Sequence, residues 1–212
     1  MRKTITDVSR YQGVIDWNAV KASGKVDGVM IRALGSKGSK PYVDPTFEAN
    51  YAGATAAGLP AGVYYYTTAR TKAQADAELA MLRKALAGKT LGLPVVVDVE
   101  DNKLHSLGKQ ALTDLTAYAL GVIQSWGVYA MLYTYLSFAA SRLYMGGAAL
   151  KPYDVWLAAY RKDKPATAYP YGMWQYTDKG SIPGVSTGVD LSLAYKDYAA
   201  IIQRAGLGQV RG

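Results

Sequence analysis

Short runs of apolar residues punctuate this chain near 4–8, 28–34, 61–67, 93–99, 127–134, 154–159, 171–176 and 188–192, many of them bounded by turn-forming residues. Their lengths and their β-branched and aromatic content predict eight strands. The segments between the early strands carry helix-end signals instead. Asp44 before Pro45 opens a helix that stops at Gly58, and Thr71 with Gln74 forms a capping-box pattern for one that stops at Gly88. A third helix, from about 109 to 125, stops before Gly127. Strand and helix alternating in this way predict a parallel sheet covered by helices. The last three strands are separated by only about ten residues each, too few for full helices. The expected fold is α/β, an irregular (β/α) TIM-like barrel. It has about eight strands, roughly five full βα units, loop-joined last strands and a closing helix near 195–204. The alternative is an open doubly wound sheet.

Composition narrows the classes. A chain of 212 residues, half of them apolar, predicts a single domain over 1–212 with its core at about 3–204. No apolar run is long enough to span a membrane, and Met1-Arg2-Lys3-Thr4-Ile5 lacks the apolar core of a signal peptide. Action outside a cell would therefore need another export route or a leader already removed. Cysteine is absent, which excludes thiol nucleophiles, thiolate zinc sites and iron–sulfur clusters. The sole histidine, His105, rules out a paired-histidine zinc helix and reads as a loop residue.

A net charge of +8 favours polyanionic surroundings, but the basic residues are scattered and form no nucleic-acid motif. Eighteen tyrosines and four tryptophans against two phenylalanines suit stacking on sugars or bases. The run from Gly35 to Lys40 reads as a mobile loop. Gly184-Val185-Ser186-Thr187-Gly188 matches a nucleophile-elbow pattern, yet the only histidine precedes it, the wrong order for that triad. Gly88-Lys89-Thr90 resembles the end of a phosphate loop but follows a helix, so it reads as a helix C-cap.

The strongest chemical signal is Asp98-Val99-Glu100-Asp101 at the end of the apolar run Leu93-Pro94-Val95-Val96-Val97. Two residues apart in a strand, Asp98 and Glu100 share a face about 6–7 Å apart along the backbone. Acids there are costly to bury unless hydrogen-bonded, solvated or working. Cleaving a glycosidic bond needs one protonated acid for the leaving oxygen and one negative charge near the oxocarbenium centre, and unequal burial can split a pair that way. Capping and solvation remain an equal reading of the motif alone. Asp7 and Asp190 stand at or near other predicted strand ends, and in a barrel the C-terminal strand ends form one rim. By alternation Tyr64 and Tyr66 share a face of their strand; if that face points inward they line a cleft with Tyr133, Trp156 and Gln175.

These residues, in this order, resemble the glycoside hydrolase family 25 lysozymes, the muramidases of phage endolysins and bacterial autolysins. The likeness begins at Asp7-Val8-Ser9-Arg10-Tyr11-Gln12-Gly13 and Ile15-Asp16-Trp17 and runs through Gly28-Val29-Met30-Ile31-Arg32-Ala33 and Asp44-Pro45-Thr46-Phe47. It continues in Gly62-Val63-Tyr64-Tyr65-Tyr66, Asp98-Val99-Glu100, Tyr133-Thr134 and Trp156-Leu157-Ala158-Ala159-Tyr160, then Trp174-Gln175-Tyr176 and Val189-Asp190-Leu191. Departures fall at Leu34-Gly35-Ser36, Tyr65 and Ser192, where relatives commonly carry Thr-Glu-Gly, His and Asn.

The resemblance implies that the substrate is bacterial peptidoglycan, cut at the β-1,4 bond from N-acetylmuramic acid to N-acetylglucosamine. Glu100 matches the proton donor, and Asp98 the neighbouring acid, read either as a nucleophile or as the group orienting the substrate's acetamido oxygen; the second reading is favoured. Asp7 and Asp190 match two further acids, expected to bind sugar and keep Glu100 protonated. Arg32, from the strand-2 motif, joins the substrate-binding candidates. No metal or cofactor is expected, nor a nucleic-acid partner or membrane span. The protein is expected to be a monomer without a wall-binding module that acts on the cell wall, either outside the cell or once released at phage lysis. A chitinase-like or N-acetylglucosaminidase enzyme and a non-catalytic glycan-binding barrel are the competing functions.

Overall fold

The structure, a computed structural model, describes residues 2–211. Its chain runs β1 (Lys3–Val8), α1 (Trp17–Ala22), β2 (Gly28–Lys37), β3 (Lys40–Val43), α2 (Phe47–Ala56), β4 (Ala61–Tyr66) and α3 (Lys72–Leu86). It continues through β5 (Val95–Asp98), α4 (Lys109–Ser125), β6 (Ala130–Tyr135), α5 (Leu136–Arg142), β7 (Asp154–Ala158), β8 (Met173–Gly180), β9 (Val189–Ala194) and α6 (Tyr198–Ala205). Eight strands close into a barrel in the order β1-β9-β8-β7-β6-β5-β4-β2, with β2 pairing back to β1. Five of them are followed by covering helices and the last three are joined by loops, which is the irregular TIM-like barrel that the sequence predicts.

Two features differ from expectation. The segment read as a mobile loop is a hairpin in which β3 lies antiparallel on β2, outside the closed ring. Gly38 and Ser39, at φ 59 and 64, form its two-residue turn, the mirror-image backbone that suits strand twist. Polar residues hid it, since Lys37, Gly38, Ser39 and Lys40 carry no apolar period. The second difference is direction: β9 runs antiparallel to both β1 and β8. Two short helices, α1 and α5, also lack the length from which periodicity is read.

Helix ends follow local chemistry. The Thr71 hydroxyl accepts the Gln74 N–H at 3.2 Å, while the Gln74 side chain reaches back to the N–H of Arg70, one residue before the cap. After α3 the chain turns through Gly88 at φ 73, so the Gly88-Lys89-Thr90 run is a helix exit. Gly184 lies in the loop between β8 and β9 and its carbonyl accepts the Asp16 N–H, so the elbow-like run is not a strand-to-helix turn.

Period-two alternation divides the core into two shells. One face of each strand points outward to the helices, as Val63, Val95, Val97, Leu132 and Leu157 do. The other fills the barrel with Ile5, Met30, Leu93, Val96, Met131 and Met173, plugged from below by Tyr198 and Ile202 of α6. Packing here is tight at Gly62, where an added Cβ would sit 2.6 Å from Leu93 Cβ and 2.7 Å from Met30 Sδ. Among the described residues no helix is long and apolar enough to cross a membrane.

Candidate active site

The inward alternation that is apolar at the base turns polar at the mouth. On β5, Val96 points in, and two steps further Asp98 and then Glu100 follow on the same side. On β4 the same rule brings in Tyr64 and Tyr66 and sends Tyr65 outward into the helix shell near Glu78. The departure at Tyr65 therefore does not touch the mouth. On β2 a bulge between Arg32 and Leu34 keeps Arg32 aimed inward while Leu34 joins the outer shell.

Asp190 is the second residue of β9, near its start, a correction to its expected place at or near a C-terminal strand end. Because β9 is reversed, its start lies on the same rim, and Asp190 stands directly opposite Asp7 in register. All ten candidate residues line a single cavity of about 590 Å³: Asp7, Asp98, Glu100 and Asp190, with Arg32, Tyr64, Tyr66, Tyr133, Trp156 and Gln175. His105 sits in a 3-10 turn, its ring 5.3 Å from that of Phe138 and outside the cavity.

A hydrogen-bond network fixes the floor. The Gln175 amide nitrogen donates to Asp7 Oδ2 at 2.9 Å, while its oxygen accepts Tyr133 at 2.8 Å and Tyr160 at 3.2 Å. Gln175 thus acts as a strut among protein groups. Trp156 is buried, its indole N–H donating to Ser192 Oγ at 3.0 Å and its ring 4.8 Å from that of Tyr133. Ser192 therefore anchors the tryptophan.

The acids are strained by their setting. Burial, then the charge of Asp190, raises the Asp7 carboxyl well above the usual range. Burial, then Glu100 and Asp7, does the same to Asp98. Glu100 is raised to about 7 by burial and by Asp190 and Asp101, and Asp190 to about 6 by burial and by Asp178. Asp98 Oδ1 and Glu100 Oε2 are buried with no hydrogen-bond partner. Such atoms are costly unless a ligand completes them.

Several lining residues were not singled out from the sequence. Asp101 accepts the Tyr66 hydroxyl at 2.8 Å and the Lys103 N–H at 2.6 Å, and its place in the acidic run was the available signal. Tyr135 follows Tyr133 by one period of the strand, and its hydroxyl lies 3.0 Å from that of Tyr160. Arg10 and Tyr11, after β1, and Lys37 and Tyr42, on the hairpin, complete one wall.

A family profile described as "Glycosyl hydrolases family 25" matches residues 6–185. The autolytic lysozyme of Clostridium acetobutylicum is 32% identical over 185 residues, 87% of this chain and 53% of that one. The bacterial lysozyme from Streptomyces coelicolor shares the fold at a TM-score of 0.81 and 24% identity, over 96% of each chain. The modular autolysin LytC from Streptococcus pneumoniae, solved in complex with a synthetic peptidoglycan ligand, reaches a TM-score of 0.78 at 25% identity. That match covers 92% of this chain and 47% of LytC. The chain thus spans about half the length of the Clostridium and pneumococcal proteins.

Proposed function

The chain belongs to glycosyl hydrolases family 25, and from that membership we propose that it is a muramidase, cutting the β-1,4 bond between N-acetylmuramic acid and N-acetylglucosamine in bacterial peptidoglycan. Its place of action is the cell wall, in keeping with the autolytic lysozyme it resembles. The observation that carries this reading is the pair of orphaned oxygens, Asp98 Oδ1 and Glu100 Oε2, in a cavity lined by tyrosines.

Glu100, raised to about 7, stays protonated at mildly acidic pH and gives its proton to the glycosidic oxygen as the bond to C1 breaks. The substrate's own acetamido oxygen attacks C1, and its amide N–H, donated to the orphaned Asp98 Oδ1, favours the carboxylate that burial disfavours without ligand, so that Asp98 stabilises the positive charge of the oxazolinium ring. The Glu100 carboxylate then takes a proton from the water that opens the ring, so configuration is retained. Asp190, with Asp101, adds the negative potential that keeps Glu100 protonated between turnovers, while Asp7, itself raised by burial, takes the sugar-binding role. Tyr64 and Tyr66 offer partly exposed rings for sugar, backed by the buried Tyr133 and Trp156, and Arg32, held by Asp44 at 2.6 Å, fixes the edge of the cleft.

The test is digestion of purified Gram-positive peptidoglycan, borohydride reduction and mass analysis, with Glu100→Gln alongside. Reduced muramic acid ends from the parent and none from the variant are expected. Reduced glucosamine ends would replace this reading with a glucosaminidase, and wall binding without new ends with a glycan-binding barrel.

A further inference from the structure

Charge is distributed unevenly around the cavity. The acids lie on β1, on β9 and at the end of β5, whereas the wall formed by the hairpin and the turn after β1 carries Arg10, Arg32 and Lys37. Arg32 is balanced by Asp44. Arg10 and Lys37 have no carboxylate within ion-pair distance among the described residues.

This wall is ordered by packing. The Arg10 guanidinium lies 5.1 Å from the ring centre of Tyr11 and 5.5 Å from that of Tyr42, and the Arg32 guanidinium lies 5.0 Å from Tyr11. Tyr42 crosses Gly35 so closely that a Cβ at that position would sit 2.5 Å from the phenol oxygen, so glycine is what admits the ring. At the hairpin tip Lys37 stands directly opposite Lys40, a like-charge cross-strand pair that costs stability. Arg10, Lys37 and Lys40, none of them within ion-pair distance of a carboxylate among the described residues, stand beside a cavity whose centre is acidic and suit an anion brought by the ligand.

Resting on the peptidoglycan reading, we propose that Arg10, Lys37, Tyr11 and Tyr42 form a subsite for a carboxylate carried by the glycan's own substituents, a free carboxylate of the stem peptide on a muramic acid residue. The subsite sets preference rather than chemistry: it favours peptide-bearing, anionic glycan over neutral polymers of 2-acetamido sugars, which have no such group. Both cations are solvent-facing, so each contributes modestly to binding.

The test compares the parent with an Arg10→Gln/Lys37→Gln double variant on soluble, peptide-bearing glycan strands freed of teichoic acid. Each is assayed before and after the strand carboxylates are converted to neutral amides with carbodiimide and ammonia. The double variant is expected to raise KM about fivefold on untreated strands, the sum of two exposed ion pairs, with kcat little changed. Amidation is expected to raise the parent's KM by a similar factor and to bring the ratio of parent to variant kcat/KM close to one. Lys37→Glu should raise KM further on untreated strands only. An equal loss on untreated and amidated strands would overturn the proposal, because the cations would then be acting on neutral sugar or on the fold. A loss confined to walls that retain teichoic acid would assign the wall to phosphate and overturn it as well. No turnover by either protein would instead mark failure of the muramidase reading, separately from the subsite.

Discussion

An aspartate sits among tyrosines at each end of this barrel, with opposite results. At the base Asp154, the first residue of β7, accepts Tyr129 at 3.0 Å, Tyr198 at 3.0 Å and Lys196 at 2.8 Å, all on Oδ2. At the mouth Asp98, the last residue of β5, has Tyr64, Tyr66 and Tyr133 around the same cavity, yet its Oδ1 accepts nothing. The residue types match; the supply of donors does not. Helix α6 closes the base and brings Tyr198 with it, whereas the mouth is left for a ligand to complete. The base stabilises the fold, and the mouth holds strain that a substrate can relieve.

The sharpest way to break that comparison is Glu100→Gln. Wall lysis should fall by roughly 10²–10⁴-fold, the share typical of a positioned general acid, while thermal melting holds or rises. A variant that loses fold and activity together would show the mouth to be structural. Asp154→Ala is the mirror experiment: it strands two tyrosine hydroxyls and Lys196 and should cost about 3 kcal/mol in denaturant unfolding. The folded fraction should keep its kcat, and a fall in kcat at full folding would place the base in the catalytic machinery.

Asp98→Asn should abolish turnover yet add about 1 kcal/mol of stability near neutral pH, because a carboxylate raised by burial is replaced by a neutral group. Loss of stability in that variant would mean that Asp98 is better satisfied than its orphaned oxygen indicates. The smallest effect is on pH dependence. With Asp7 and Asp98 raised, Glu100 at about 7 and Asp190 at about 6, the folded state binds more protons than the unfolded one from about pH 4 to 7. Melting temperature should therefore fall as pH rises through that window, more shallowly in Asp98→Asn. Activity should fall above about pH 7 as Glu100 loses its proton, and on the acid side as its neighbours gain theirs. A flat activity profile would remove Glu100 as the acid.

Much of the mouth was legible because alternation is a local property. Once Leu93-Pro94-Val95-Val96-Val97 reads as a strand, Asp98 and Glu100 must share a side, and the same holds for Tyr64 with Tyr66. Helix ends marked by Thr71, Gln74 and Gly88 were equally local. The hairpin was not legible, because its strands are polar and partly exposed and their pairing rests on a turn at Gly38 and Ser39. With it went Lys37 and Tyr42, and thus the cationic wall.

The sequence by itself determined that a barrel of strands would carry acids and aromatics at strand ends, since period, turn residues and side-chain chemistry are properties of neighbouring positions. Only the tertiary structure decided that β9 runs backwards and so delivers Asp190 opposite Asp7, and that Gln175 spends its amide on Asp7, Tyr133 and Tyr160. It alone left Asp98 Oδ1 and Glu100 Oε2 without donors while giving Asp154 three. The physical reason is that direction, register and desolvation depend on which distant strands meet, and burial of an acid is a property of everything packed around it rather than of the residues beside it in the chain.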